Sequence, residues 1–402
     1  MTTENNMKKV AVIGTGTNGI TSLAHLLAWL PPKEWEVVSI YDPNIPMLGI
    51  GETATSSTPQ VLFYGADLNF FTDADELDVT IKWGTKYTNW RDTEHMAVFP
   101  VPNYGIHFNN FKLKQVCFPR FKKKWPDKFK TLEGKITDIQ NLPDKVTCKV
   151  NDVDYEFDYI IDCSGYPASY DEDYTIVDTI PVNHALINMV PTPGDWNYTH
   201  HRAHPNGWMF GIPLKTRQGW GYLYNDKITS KEEAIENFSE IRGIPKDKII
   251  TNEFSFKNYK AKKFIDNRIV KNGNKALFFE PIEALAGWFY DQVLRTWFDY
   301  AVTQQLTEDQ ANIKLHDFAE DHELAICYIY HGGSTYDSEF WKTTVAKCSK
   351  KLATSERWKY NLEILKQVKP EHYASPMAIY PFPFVVWSHF DKGMGYNYFS
   401  SN

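Results

Sequence analysis

KKVAVIGTGTNGITSLAHLLAWLPPKEWEVVSIYD, residues 8–42, is the stretch that decides the fold. Val10-Ala11-Val12-Ile13 is a continuous apolar run, the pattern of a parallel strand covered on both faces. Gly14, Gly16 and Gly19 form a G-x-G-x-x-G turn directly after it. A helix follows, with Ile20, Leu23, Ala24, Leu26 and Leu27 on its inner side, and Pro31-Pro32 stops it. Val37-Val38-Ser39-Ile40-Tyr41 is the second strand, closed by Asp42. A bare glycine fingerprint is weak, but this one sits between a buried strand and a helix, the context its chemistry requires. Gly14 permits the tight turn, Gly16 lets backbone N–H groups approach a pyrophosphate, and Gly19 lets helix and strand pack closely. Thr17 and Asn18 open the helix whose positive end faces the phosphates. Asp42, 23 residues beyond Gly19, is placed to accept hydrogen bonds from a ribose. The expectation is a Rossmann-like α/β fold.

The fingerprint alone does not separate FAD from NAD. Two later features favour FAD. Gly49-Ile50-Gly51-Glu52-Thr53 offers a second flexible backbone loop, and a strand ending in Asp162-Cys163-Ser164-Gly165 offers a second backbone approach. No further dinucleotide fingerprint is present for NAD(P)H, so FADH2 is expected to come from a separate flavin reductase.

The chain of 402 residues is long enough for two or three modules. We divide it into a FAD-binding module over 1–180 with 265–300 returning to it, a substrate-side sheet over 181–264, and a helical C-terminal region over 301–402. The net charge of -7 argues against a nucleic-acid partner held through phosphates. The 13 Trp, 23 Tyr and 25 Phe fill cores and also wall pockets for flat organic ligands. Five cysteines without a CxxC pair make a poor disulfide framework and a poor zinc site, so no metal is expected. The opening MTTENNMKK has no apolar core of a leader, and no 18-residue apolar run follows. A cytoplasmic protein without membrane contact fits, and a homo-oligomer is compatible with the sequence.

Further along, residues 106–125 read as a helix with a basic, solvated end. Residues 131–161 alternate as a small antiparallel sheet. Residues 180–260 mix strands and turns, and 281–368 read as helical. The proline- and aromatic-rich tail from His372 reads as extended chain wrapping the surface. His200, His201 and His204 read as a loop of exposed histidines without metal-site spacing. Glu280, before Pro281, reads as a turn residue, and Asp337-Ser338-Glu339-Phe340-Trp341 as helix packing.

Several motifs in order resemble the flavin-dependent halogenases of the tryptophan-halogenase type, over about residues 8–345. They are GTGTNG with the following GIGETAT loop, TIKWGTKYTNW, GIHFNN (105–110), YIIDCSG, the Trp208-Met209-Phe210-Gly211-Ile212-Pro213 block, and FFEPIEALAG. The resemblance implies an α/β FAD-binding fold of the glutathione-reductase and hydroxybenzoate-hydroxylase kind. An added substrate module and a helical C-terminal part complete it, as in the small, phage-type members. It implies FADH2- and O2-dependent halogenation of an electron-rich aromatic small molecule, with halide as co-substrate. Lys82 falls where the catalytic lysine is expected and Glu283 where its partner glutamate is expected. The resemblance also implies that Trp208, Phe210, Ile212 and Pro213 would form the block that keeps such a site from acting as a monooxygenase. Here Phe210 replaces the family's second tryptophan. The halide-holding backbone would be Leu285, Ala286 and Gly287. The usual Ser/Thr-Gly after the glutamate is replaced by Ala284-Leu285-Ala286, so bromide or iodide is expected over the more strongly hydrated chloride.

The residue types suit the chemistry. Halide must be oxidised before an aromatic ring can attack it. A lysine can hydrogen-bond hypohalous acid through its ammonium or form a haloamine through its amine. A nearby carboxylate can orient that reagent or take the ring's proton. By position alone Lys82 would be a surface lysine, and Lys86, expected on the same strand face, is its rival. A flavin-dependent monooxygenase or oxidoreductase on the same fold is the alternative function.

Overall fold

The computed structural model describes residues 7–47, 52–91, 94–369, 371 and 378–399. Gly49 and Gly51 lie outside the described residues.

The opening motif forms as read. Strand Lys8–Ile13 lies at the centre of a six-stranded sheet. Its parallel neighbours are Trp35–Tyr41, with Val10 opposite Val37, and Tyr159–Asp162, with Ile13 opposite Asp162. Phe129–Glu133 continues the sheet on one side and Ile269–Lys271 on the other. The connecting helix Thr17–Trp29 buries Ile20, Leu23, Ala24, Leu26 and Leu27 against this sheet and its neighbours. The small antiparallel sheet is Ile136–Asn141, Val146–Val150 and Val153–Phe157. It begins later than residue 131, because 129–133 pair with Trp35–Tyr41 instead.

A second, seven-stranded sheet stands opposite. Its order is Asn252–Ser255, His184–Val190, Gln218–Tyr224, Gly207–Pro213, Thr199–His204, Gly84–Thr88 and His95–Val98. Two of its strands, Gly84–Thr88 and His95–Val98, thus come from the region between Trp35–Tyr41 and Phe129–Glu133. The strand Thr80–Lys82 runs into Gly84–Thr88 but pairs elsewhere, with Gly105–His107, which also holds Thr53–Ala54. Lys82 and Lys86 therefore sit in different sheets and share no face.

Three further sequence expectations change. Residues 105–107 are a strand, and the helix starts only at Asn110 and runs to Lys124. Asn109 caps it by accepting a hydrogen bond from the Phe111 N–H at 3.2 Å. The tail is not simply extended: beyond residue 377 it makes a short hairpin and the helix Phe384–Gly393, which begins directly after Pro383. That helix buries Phe384, Val386, Trp387 and Phe390, an apolar face that extended chain could not bury together. The third change concerns the histidines. They are not on an exposed loop but on the strand Thr199–His204, with His201 and His204 buried. Neutral imidazoles pack like other rings, and His204 stacks on Tyr222 with centroids 3.7 Å apart.

The helices Leu285–Ala301, Glu308–Tyr330, Glu339–Thr354 and Glu356–Leu365 complete the molecule. Ser338 caps the third of them, and Trp341 is buried against Trp90. Among the described residues, no helix is long and apolar enough to cross a membrane.

Candidate active site

A cleft of about 840 Å³ runs between the two large sheets. At one end lie Asp42, Gly134 and Ile136; at the other lie Thr199, His201, Phe210 and Ile212. Gly14, Gly16, Thr17, Asn18, Gly19, Thr53 and Gly165 all line it. Gly14 has φ +96°, and a Cβ there would stand 2.6 Å from the Cys163 carbonyl oxygen. A Cβ on Gly19 would overlap the Gly14 carbonyl, so helix and strand can meet only through glycine. Gly16 and Gly165 differ: a Cβ on either would meet nothing within 4 Å. Gly16 is also the N-cap of Thr17–Trp29, with no side-chain cap and no acidic residue in the first turn. Uncapped helix amides beside open backbone fit the diphosphate of a dinucleotide.

At two positions expected to approach the cofactor through backbone, the side chains are engaged within the protein. The carboxylate of Glu52 is buried and paired with Arg217. Asp162 accepts the Ser164 N–H at 3.0 Å and approaches Lys275 at 3.9 Å, a turn-forming role.

Lys82 and Glu283 lie behind the far end of the cleft, near enough for their charges to interact but not paired. Lys82 is wholly enclosed, and Nζ makes no hydrogen bond. Burial lowers its pKa, partly offset by the negative charge of Glu283. Phe99 is the ring beside the amine, its centroid 5.7 Å from Nζ. Glu283 is 4% exposed, and burial raises its pKa against the pull of Lys82 and the Tyr87 hydroxyl. Tyr87 donates to Glu283 Oε1 at 2.6 Å, and His201 Nδ1 lies 3.7 Å from the same oxygen. The backbone that delivers this carboxylate is strained: Glu283 (φ 60°) and Ala284 (φ 53°) are consecutive left-handed residues with side chains. The helix Leu285–Ala301 starts at once, its N-cap Ala284 giving no side-chain cap. Ala286 and Gly287 line the cleft there, whereas Leu285 is buried.

Around the pair, side chains are locked by hydrogen bonds. The Thr80 hydroxyl donates to the Pro213 carbonyl at 2.7 Å, so it must accept from His107 Nδ1–H at 3.0 Å. His107 Nε2 then accepts from the Thr199 hydroxyl at 2.9 Å, which fixes a neutral tautomer. Burial, reinforced by Lys82, holds its pKa well below the usual range. Trp208 is fully buried and donates Nε1–H to Glu280 Oε2 at 3.0 Å; Tyr330 donates to the same oxygen at 2.9 Å. Burial raises the Glu280 pKa to about 8. Glu280 is therefore a buried acid, not a turn residue. Phe210 and Ile212, on the same face of the strand as Trp208, form the cleft wall in front of the pair.

Lys86, by contrast, is partly exposed and paired with Glu94 at 2.6 Å. Tyr87, His107, His201 and Glu280 were not legible as site residues. Tyr87 and His107 lie inside quoted motifs, but nothing in their spacing distinguishes them from core.

Comparison with known proteins settles the kinship. The family model for tryptophan halogenase matches residues 9–141 and 128–374. The chain belongs to the tryptophan halogenase family. It is thereby a flavin-dependent halogenase, an enzyme class that uses FAD and halide and acts on aromatic substrates. Among relatives, tryptophan 6-halogenase ThaL of Streptomyces albogriseolus is 20% identical, covering 84% of this chain and 79% of its own. Tryptophan 6-halogenase SttH of Streptomyces toxytricini is 24% identical over 62% of this chain and 50% of its own. The flavin-dependent halogenase Xcc4156 from Xanthomonas campestris superposes with a TM-score of 0.79 at 17% identity, covering 97% of this chain and 89% of that one. BrvH from Brevundimonas sp. BAL3, also a flavin-dependent halogenase, gives 0.77 at 15% identity, with 98% and 90% covered. At such identities the halogenase structures testify to the shared fold.

Proposed function

We propose that this halogenase delivers hypohalous acid from the FAD cleft to Lys82, which presents the halogen to an electron-rich aromatic substrate. When bound, reduced FAD with O2 supplies the oxidising power that converts halide to hypohalous acid. Residues 14–19, Asp42, Thr53 and Gly165 would hold the cofactor along the cleft. The wall of Trp208, Phe210, Ile212 and Pro213 would keep the substrate from the flavin and leave passage only for a small reagent.

The observation that carries this reading is the enclosed, unpartnered amine of Lys82 beside a buried carboxylate, behind the far end of the cleft. An amine so placed has no structural partner to serve. Its ammonium can donate to the oxygen of hypohalous acid, leaving the halogen end exposed; the ring carbon attacks the halogen and water leaves. Its neutral form can take the halogen as a haloamine, releasing water, and pass it on with the same balance. Glu283 would then accept the proton lost by the ring carbon. The half-buried ring of Phe99 marks the side from which substrate would reach Nζ.

The left-handed turn at Glu283–Ala284, followed by uncapped helix amides, would form the halide cradle from backbone alone. Ala284, Leu285 and Ala286 add no polar side chain, so bromide and iodide should be preferred over chloride. A separate flavin reductase should supply the reduced cofactor.

Product mass spectrometry on a phenol and indole panel, with FADH2, O2 and each halide in competition, tests this. Halogenated products with bromide or iodide in excess are expected. Products that gain oxygen instead of halogen would replace the reading with a monooxygenase.

A further inference from the structure

His201 lines the far end of the cleft and stands beside Glu283. Its strand pairs it in register with Phe210 on one side and Tyr87 on the other. Phe210 is cleft wall and Tyr87 is the hydroxyl donor to Glu283, so the imidazole shares a face with both. The ring is 2% exposed, packs edge-on to Trp208 at 4.6 Å and to Tyr87 at 5.1 Å, and itself lines the cleft. Its Nδ1 is enclosed, has no hydrogen-bond partner, and lies 3.7 Å from Glu283 Oε1. An enclosed polar atom without a partner destabilises a fold, so its presence here needs an account.

We propose that His201 is a positioning residue of the halogen-delivery site, giving its Nδ1 proton to Glu283 and so keeping that carboxylate ionised and turned toward Lys82. The proposal rests on the role given to Lys82 and Glu283 above. Burial and the nearby Lys82 charge hold the imidazole neutral, so it acts as a hydrogen-bond donor and not as a second cation. At 3.7 Å the contact is longer than a hydrogen bond, the slack common in catalytic contacts before a ligand closes them. The other titratable groups facing the pair are already engaged. His107, from the strand Gly105–His107, is bonded at both nitrogens; Tyr87 is bonded to Glu283; Glu280 is bonded to Trp208 and Tyr330. His200 acts on His201 only through its charge state. Among these titratable groups His201 is thus the one with a donor left for Glu283; the buried Thr85 hydroxyl also faces that carboxylate and is unchanged in the His201 variants.

The test is the titration of Lys82 in flavin-free protein, followed by NMR with lysine-selective ¹⁵N labelling. The Lys82 signal is assigned by its loss in Lys82→Met. With one donor removed, Glu283 keeps less of its negative charge, and Lys82 should lose its proton at lower pH. We expect His201→Ala and His201→Phe to lower the Lys82 midpoint by roughly one pH unit, the scale of one lost charge neighbour. His201→Asn, whose amide N–H can replace Nδ1–H, should return it to the wild-type value. A midpoint unchanged in His201→Phe, or restored by Phe and not by Asn, would show that the ring only fills space and overturn the proposal. The Phe and Asn variants decide the matter even where the alanine variant does not fold. Because the titration uses neither flavin nor substrate, its result is separate from any failure to find halogenated product.

Discussion

Two buried ionisable side chains show how this site departs from what stability alone would choose. Lys82 is a fully enclosed amine without a hydrogen bond. Its ammonium meets a large desolvation cost that Glu283 offsets only in part. Methionine has similar length and no charge. Replacing both charges, Lys82→Met with Glu283→Gln, should therefore raise the unfolding free energy by about 1–3 kcal/mol in urea titrations, while halogenation is lost. A less stable variant would mean that the amine is a structural element. Glu280 gives a pH-dependent counterpart. Its folded pKa, near 8, lies above the ordinary glutamate value of about 4.3. The folded state therefore holds this proton more tightly than the unfolded state. That stabilisation is complete at low pH and is lost as pH rises through the folded pKa. Stability should decline from about pH 5 to about pH 8, by at most about 1.4 kcal/mol per pH unit. Glu280→Gln should flatten that decline, as read from urea midpoints across the range; an unaltered slope would assign it to another group.

At the scale of elements, the opening strand, glycine turn and helix were legible because their apolar periodicity and glycines serve one purpose. Gly19 shows this well, since any Cβ there overlaps the Gly14 carbonyl. The strand Thr199–His204 was not legible. Its residues Thr-His-His-Arg-Ala-His look polar, yet burial strips the imidazoles of charge and they pack as rings. The left-handed pair at Glu283–Ala284 was equally hidden, because neither residue type announces a positive φ. The helix Phe384–Gly393 was masked by the surrounding prolines, although Pro383 only marks its start. One helix end carries an unexpected device. Lys128 is buried, and Nζ donates to the carbonyls of Leu26, Leu27 and Leu30 at 3.1, 2.7 and 2.5 Å. It caps the C-terminus of Thr17–Trp29 with a cation, where the helix dipole is negative. Lys128→Met should cost about 2–3 kcal/mol in chemical denaturation, since three carbonyls lose a charged donor. A cost below measurement error would mean that water replaces it.

At the scale of the molecule, the six-stranded sheet presents the dinucleotide turn, and the seven-stranded sheet presents the wall of Phe210 and Ile212, with Trp208 buried beside them. Lys82 comes from the small sheet joining them, and Glu283 from the turn that enters the helix Leu285–Ala301. The C-terminal helix closes over the same region, with Phe390 5.6 Å from Tyr87 and His389 accepting the Val98 N–H at 3.1 Å. On the proposed reading, this arrangement would separate where the oxidant is made from where the halogen is used. Its central claim is that Lys82 performs the hand-over, and the most direct measurement follows both ends at once. Lys82→Met, given FADH2, O2 and bromide, should form hypohalous acid at close to the wild-type rate. That acid should escape to a soluble trap, while halogenated aromatic product falls at least about 100-fold, the usual weight of one key polar group. Product formation at the wild-type rate in this variant, with no trapped hypohalous acid, would contradict the account.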